Sequence, residues 1–406
     1  MAKIRKVSKI GKNKKGSITS TIEIPSTMPL TKSIINNDLE LFIKSIDILK
    51  INILKNKLIT SFQCEKTQGE RLTKGTSTPV YTIKIITSSN EELKFVLKFI
   101  KLSERSDPEF LGESYKIEKN FYNNNLIKGK ICENKLNIPI LYHFEEDKKL
   151  QYMSFFMNDI SVDYPEHPET PNVTQAQLAL EWLAKWHSLF WMEHWNWPKD
   201  LWKEGNFWVL NRKGKNNLQS IPHTWNSLIK NLNKKYASVS HEKGFNDFGK
   251  RIMNAAKGIY QVLNNTRYRT ILHGDFKPAN MFFDKESCSV CDFQFSGAGV
   301  PLQDVVYFLF PDALMNFSGK EEQLLKHYFN KLISLGIDSM DYDLCFQLYK
   351  ICLLDYIRYL LEKGWMCYSE EEVKVVQKCN VWLSEYDNFQ ILSEQQYLDI
   401  INEKIN

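Results

Sequence analysis

Ile271-Leu272-His273-Gly274-Asp275-Phe276-Lys277-Pro278-Ala279-Asn280-Met281-Phe282-Phe283 is the stretch from which the rest of the chain is best read. An Asp followed five residues later by an Asn, and then by apolar strand formers, puts a carboxylate on a short loop. There it can take a proton from an attacking hydroxyl, with an amide oxygen one turn away. Twelve residues after Asn280 stands Asp292, in Ser289-Val290-Cys291-Asp292-Phe293-Gln294. Asn280 to Phe283 and Ser289 to Phe293 are predicted to form a hairpin closed by Asp284-Lys285-Glu286-Ser287, which returns Asp292 to the side of Asn280. An amide oxygen and a carboxylate so placed suit Mg²⁺, a hard cation that takes oxygen ligands and triphosphate oxygens. A chance His-x-Asp in a surface turn would lack both the hairpin and the second Asp.

Upstream, Asn37 to Asn56 has apolar residues near helical spacing. Thr78 to Thr87 and Leu93 to Lys101 are rich in β-branched and aromatic residues, and the polar Ser88-Ser89-Asn90-Glu91 between them predicts a hairpin. A helix containing Glu113 to Tyr122 follows, then two strands, Ile138 to Phe144 and Leu150 to Met157. Beyond Asp159 the pattern turns helical. Thr174 and Gln177 read as a capping box, and later helices are expected over Phe245 to Asn264, Gly319 to Leu335, Asp341 to Glu362 and Glu370 to Tyr386. The layout is α+β and bilobal: a basic disordered tail over 1–20, a β-rich lobe over 21–158, and a helical lobe over 159–406 interrupted by the β-like segment Ile271 to Phe295.

The chain has 406 residues, 43% apolar and 25% charged, the balance of an ordinary globular protein. Much of its net charge of +5 comes from Lys3, Arg5, Lys6, Lys9, Lys12, Lys14 and Lys15, a run read as a solvated tail. The remainder is near neutral, so no nucleic-acid partner is expected. No stretch reads as a membrane span or secretory signal, and eight scattered cysteines do not form a disulfide framework, so a cytoplasmic location is expected. Cys288 and Cys291 have no second pair or nearby His to complete a zinc set.

The pieces His-Gly-Asp-Phe-Lys-Pro-Ala-Asn-Met-Phe-Phe and Val-Cys-Asp-Phe-Gln resemble the choline kinase and aminoglycoside phosphotransferase superfamily. With Gly299-Val300-Pro301-Leu302-Gln303-Asp304-Val305-Val306-Tyr307-Phe308, they are most similar to its ecdysteroid-kinase-like (CHK kinase-like) family. Lys277 stands where that family often has Trp. The resemblance implies a protein-kinase-like fold and an ATP- and Mg²⁺-dependent small-molecule kinase. Asp275 would be its catalytic carboxylate and Asn280 and Asp292 its metal ligands, with His273 and Asp304 supporting the loop. It further implies an ATP-binding Lys ending a strand, for which Lys98 fits, with Lys94 and Lys101 as alternatives. Its helical partner would be Glu118, or else Glu113. Gly75, Thr76 and Ser77 would cover the phosphates, and the backbone around Met157 and Asn158 would contact adenine. His187 reads as a core histidine that could buttress the loop.

A protein kinase is the first rival, because His-x-Asp-x-Lys-Pro-x-Asn also resembles the Ser/Thr-kinase loop. Gly274 in place of Arg, Gln294 in place of Gly and the short interval from Asp292 to Asp304 count against it. A catalytically dead scaffold is the second rival, and it is disfavoured because none of the key residues is lost. Eight of the ten tryptophans lie between Trp182 and Trp225. Most are expected in packing; an open cage of them would favour a quaternary ammonium acceptor such as choline.

Overall fold

The computed structural model describes residues 11–12, 18–23, 59–66, 80–149, 151–192, 197–210, 212, 217–235, 242–310, 317, 319–366 and 369–405. Seven strands form an antiparallel sheet in the order β1 (Gly11–Lys12), β2 (Ile18–Glu23), β3 (Ile59–Lys66), β4 (Val80–Thr87), β5 (Glu92–Lys101), β7 (Tyr152–Asn158), β6 (Leu141–Asp147). The predicted hairpin is β4–β5, in register from Val80 opposite Lys98 to Ile86 opposite Glu92. Its turn is closed by the Asn90 N–H on the Thr87 carbonyl at 2.9 Å. Within the span read as a tail, Ile18 and Thr19 pair with Lys12 and Gly11, and Ser20 to Glu23 pair with Cys64 to Ser61, so β1 and the start of β2 join the sheet. The helix expected over 37–56 lies outside the described residues.

Two helices follow β5: α1 (Pro108–Asn123), capped by the Asp107 carboxylate on the Phe110 N–H at 3.2 Å, and α2 (Asn125–Glu133). Strand β6 starts three residues later than predicted. Pro139 has no N–H to give a ladder, and Ile140 instead donates to the Asn158 side chain at 2.6 Å. Tyr152 to Met157 are all buried, so β7 is covered on both faces. Past it, a single 3₁₀ turn (Ile160–Val162) leads into the helical part.

The first long helix there is α3 (Val173–Ser188). Its capping box is Asn172 with Gln175, two residues earlier than Thr174 and Gln177. Asn172 Oδ1 accepts from the Gln175 N–H at 3.0 Å and Gln175 Oε1 from the Asn172 N–H at 2.9 Å, leaving Thr174 inside the first turn. Helices α5 (Phe248–Asn265), α7 (Glu321–Ser334), α8 (Tyr342–Lys363) and α9 (Glu370–Asp387) match the predicted ones within a few residues. Three more were not read from sequence: α4 (Ile221–Lys235), the short α6 (Leu302–Leu309) and α10 (Glu394–Ile405). A buried ion pair of Arg251 with Asp387 at 2.7 Å, joined by Asn380 and Tyr397, ties α5, α9 and α10 together. No helix among the described residues is long and apolar enough to cross a membrane.

The β insertion is two small antiparallel pairs, one nested in sequence inside the other. β8 (Thr270–Leu272) pairs with β11 (Gly297–Gly299), and β9 (Met281–Phe283) with β10 (Cys288–Val290). Between these pairs sit the loops carrying Asp275 and Asp292. The result is an α+β, bilobal, protein-kinase-like fold with a sheet lobe followed by a mainly helical one.

Candidate active site

The loop after β8 is held by a single buried carboxylate. Asp304 accepts from the His273 N–H at 2.7 Å and the Gly274 N–H at 2.9 Å, and His187 Nε2 lies 3.2 Å away. Burial holds the His187 imidazole below its ordinary range, so it is neutral. Nε2–H donates to Asp304, and Nδ1 accepts from the Tyr328 hydroxyl at 2.7 Å. Gly274 turns the chain at φ 85°, and a Cβ there would sit 2.2 Å from the Phe295 carbonyl oxygen. Only glycine fits, which is why no Arg can stand between His273 and Asp275.

His273 braces the same turn from inside. Its Nδ1 accepts from the Asp275 N–H at 3.2 Å and its Nε2–H donates to the Cys291 carbonyl at 3.0 Å. Fully buried, it too is driven towards the neutral form, chiefly by desolvation. Its ring ties the Asp275 loop to the Asp292 segment and does not enter the cleft chemistry.

Asp275 is 2% exposed. Its carboxylate meets Lys277 Nζ at 3.0 Å and Asn280 Nδ2 at 3.2 Å, and the same Nδ2 donates to the Asp275 carbonyl at 2.8 Å. With its amide nitrogen so engaged, Asn280 leaves its side-chain oxygen for a cation. Burial pushes the Asp275 carboxyl up, and Lys277 draws it back. The Tyr307 hydroxyl also bonds Asp275, and is itself held protonated by burial.

Asp292 adopts φ 71°, a left-handed conformation unusual for a residue with a Cβ. That twist directs its Oδ1 to Lys98 Nζ at 2.8 Å, while the same nitrogen lies 2.7 Å from Glu118 Oε2 on α1. Burial opposes ionisation of Asp292, but Lys98 outweighs it and the carboxyl sits below its ordinary range. Burial works against Lys98 as well, yet Asp292 and Glu118 together keep it firmly protonated. Glu118 bears the cost: desolvation pushes it up to about 7 against the pull of Lys98. The other candidates face elsewhere. Lys94 lies 3.6 Å from Glu92 and Lys101 3.3 Å from Glu104, and Glu113 is exposed.

Phe293 locks this segment to α1. It is fully buried and stacks on Phe121 with centroids 3.8 Å apart and planes at 10°. Gln294 Nε2 reaches Asp292 Oδ2 at 3.4 Å, and its Oε1 accepts from Ser114 Oγ at 3.4 Å. Ser114, Gln294 and Tyr307 are site residues to which sequence reading assigned no role. Their signal was their place one helix turn before Glu118, beside Asp292, and behind Asp304.

Gly75, Thr76 and Ser77 lie outside the described residues. Met157 and Asn158 end β7, and the Asn158 N–H donates to the Ile140 carbonyl at 3.2 Å, just before β6 begins. Among the described residues there is no group of three or more His, Cys, Asp or Glu able to hold a metal. Mg²⁺ fits this donor set if Asn280 and Asp292 supply two oxygens and phosphates and water the remainder, the usual pattern for this ion. Cys288 and Cys291 are both free thiols, with Cys288 buried on β10.

Beside Asp275 opens a cavity of about 690 Å³. Phe207, Phe295, Tyr307 and Tyr359 are among its walls, with Trp208 and Trp365. Of the tryptophan-rich stretch, Trp182, Trp186, Trp191, Trp208 and Trp225 are buried in packing; Trp208 alone of these five lines the cavity.

The model of the ecdysteroid kinase-like family matches residues 76–340 of this chain. No curated protein matches it. Among solved structures, the microcompartment-associated aminopropanol kinase is similar at 11% identity, over 82% of this chain and 93% of that one, with a TM-score of 0.43. Choline kinase LicA from Streptococcus pneumoniae is similar at 15% identity, over 84% and 98% of the two chains, with a TM-score of 0.39. An aminoglycoside phosphotransferase from Alicyclobacillus acidocaldarius is similar at 9% identity, over 80% and 90%, with a TM-score of 0.40.

Proposed function

Since the chain belongs to the ecdysteroid kinase-like family, we propose that it is a small-molecule kinase, transferring the γ-phosphoryl group of ATP to an alcohol bound in the cavity beside Asp275. One observation carries the reading. Lys98 Nζ lies 2.7 Å from Glu118 and 2.8 Å from Asp292, Asn280 lies 3.2 Å from Asp275, and the N–H of Cys291, next to Asp292, donates to the Asn280 carbonyl at 3.0 Å, which supports one site for these five side chains.

In this mechanism Lys98, steadied by Glu118, neutralises the α- and β-phosphates. Asn280 and Asp292 would hold Mg²⁺, which would supply charge neutralisation at the phosphates. Asp275 orients the acceptor hydroxyl and takes its proton as the oxygen attacks phosphorus in line. Burial raises the proton affinity of Asp275, and Lys277 opposes that rise. Phosphoryl transfer passes through a loose transition state, so positioning and charge neutralisation are asked to do more than base strength. A protein acceptor is disfavoured by the run from Asp292 to the start of α6 at Leu302. It is occupied by β11 and its turns, with no segment left to present a peptide.

The test is to incubate the protein with Mg·ATP and a panel of alcohols, following ADP release and phosphorylated product together. Turnover of one or more alcohols is expected. Failure to bind Mg·ATP at all would remove the basis of the proposal.

A further inference from the structure

We propose that the acceptor is a ring-bearing alcohol carrying an anionic group, a carboxylate, sulfate or phosphate ester, which Arg212 receives. This deepens the phosphotransfer reading above and rests on it.

Size and wall chemistry come first. About 690 Å³ is ample for a ligand of several fused or linked rings. The aromatic walls interlock: Phe207 meets Tyr307 edge-on at 5.0 Å and Tyr359 at 5.6 Å, and Tyr359 meets Trp365 at 5.7 Å. Such walls gain by burying flat apolar faces.

The charges on those walls decide the rest. Among the described residues two carboxylates line the cavity, Asp275 and Glu362, and both are committed. Asp275 is held by Lys277 and Asn280. Glu362, its side chain 4% exposed, accepts from Arg358 Nη1 at 2.8 Å and from the Asn217 N–H at 3.2 Å, with Lys363 Nζ at 3.4 Å. Arg358 is paired again with Asp355 at 2.9 Å. A cationic acceptor would therefore find no free carboxylate and would face Arg212, Lys277 and Lys363 instead.

Arg212 is the cation left over. Among the described residues no carboxylate lies within ion-pairing distance of it. Its Nη2 donates to the carbonyls of Glu204 and Asn206, and its Nε is buried without an acceptor. The guanidinium lies over the Trp202 ring at 4.3 Å and near Phe295 at 5.9 Å, which fixes its plane at the cavity wall. Burial pushes it down to about 10, with Glu204 and Glu113 opposing only in part, and the Glu204 carboxylate already accepts from the Tyr260 hydroxyl at 2.8 Å. A half-buried guanidinium without a counter-ion is costly, and an anionic ligand relieves that cost with charge-assisted hydrogen bonds.

The test uses three probes on one frame: a hydroxymethyl-naphthoate, its methyl ester, and the trimethylammonium analogue. Wild-type protein with Mg·ATP is expected to favour the carboxylate over the ester by roughly tenfold or more in kcat/KM, and to leave the cation untouched. In Arg212→Ala the carboxylate-to-ester ratio should collapse towards one, and Arg212→Lys should restore part of it. Calorimetric binding of the same probes with a non-hydrolysable ATP analogue reads the preference even if none is turned over. It also stands if the Ala variant fails to fold, since the wild-type ratio alone decides. Preference for the ester or the cation overturns the inference, as does an equal loss with the carboxylate and the ester in Arg212→Ala, which would assign Arg212 to the transferred phosphoryl group. Loss of Mg·ATP binding in wild type would instead strike the phosphotransfer reading itself.

Discussion

From Thr270 to Asp304 the chain makes a self-bracing unit, whereas the cavity beside it is assembled from distant pieces. In the first region, His273, Asp275, Asn280 and Cys291 bond one another within a short span of sequence, and Asp304 closes over the loop backbone. In the second, Phe110, the run from Phe207 to Arg212 and the run from Arg358 to Trp365 come from three segments outside that span and meet Phe295 and Tyr307 through packing. The contrast separates chemistry from selectivity. In the proposed reaction a rigid loop would set where a phosphoryl group is received, and walls gathered from distant segments would set what is phosphorylated.

The sharpest way to break this division is at Asp275. Asp275→Asn should lower kcat by roughly a hundred- to ten-thousandfold while Mg·ATP affinity, measured by calorimetry, stays within about twofold. Equal losses in both would mean that this carboxylate belongs to nucleotide binding. Gly274→Ala comes next. With φ at 85° and a Cβ 2.2 Å from a carbonyl oxygen, the loop must shift, and stability should fall by about 2 kcal/mol or more in chemical denaturation. An unshifted midpoint would show that the bracing is looser than the hydrogen bonds imply.

A smaller effect is expected from pH. Glu118, pushed up to about 7 by burial, takes a proton as pH falls through that value, and Lys98 then loses one of its two anionic partners. Mg·ATP affinity should decline by up to roughly tenfold between pH 8 and 6, since one pKa unit corresponds to about 1.4 kcal/mol. Glu118→Gln should flatten that profile. The mildest prediction concerns the walls. Tyr359→Ala should raise the acceptor KM by several-fold, about 1–2 kcal/mol of lost aromatic contact, and leave ATP turnover without acceptor close to wild type. A drop in kcat as large as that of Asp275→Asn would erase the distinction between loop and wall.

Much of the loop region was legible because its partners are close in sequence. The spacing of Asp275 and Asn280, the turn at Asp284 to Ser287 and the return of Asp292 all follow from hairpin geometry. The capping box was displaced from Asn172 to Thr174 because Ser, Thr and Asn compete for the same role, and only the backbone shows which one precedes the helix. That the Asn158 N–H pairs with the Ile140 carbonyl could not be read from sequence, because the two residues lie at the ends of separate strands.

What sequence by itself determined is the set of groups: a carboxylate, an amide and a second carboxylate in a fixed local order, with a strand lysine and a helical glutamate upstream. What the tertiary structure decided is which of Lys94, Lys98 and Lys101 meets Asp292, a partner 194 residues away, and that Arg212 stands in the cavity wall with no carboxylate paired to it among the described residues. Short-range hydrogen-bonding geometry is fixed by residue order alone. Pairing between distant side chains depends on how the sheet, α1 and the helical lobe bury one another, and that is settled only when the core closes.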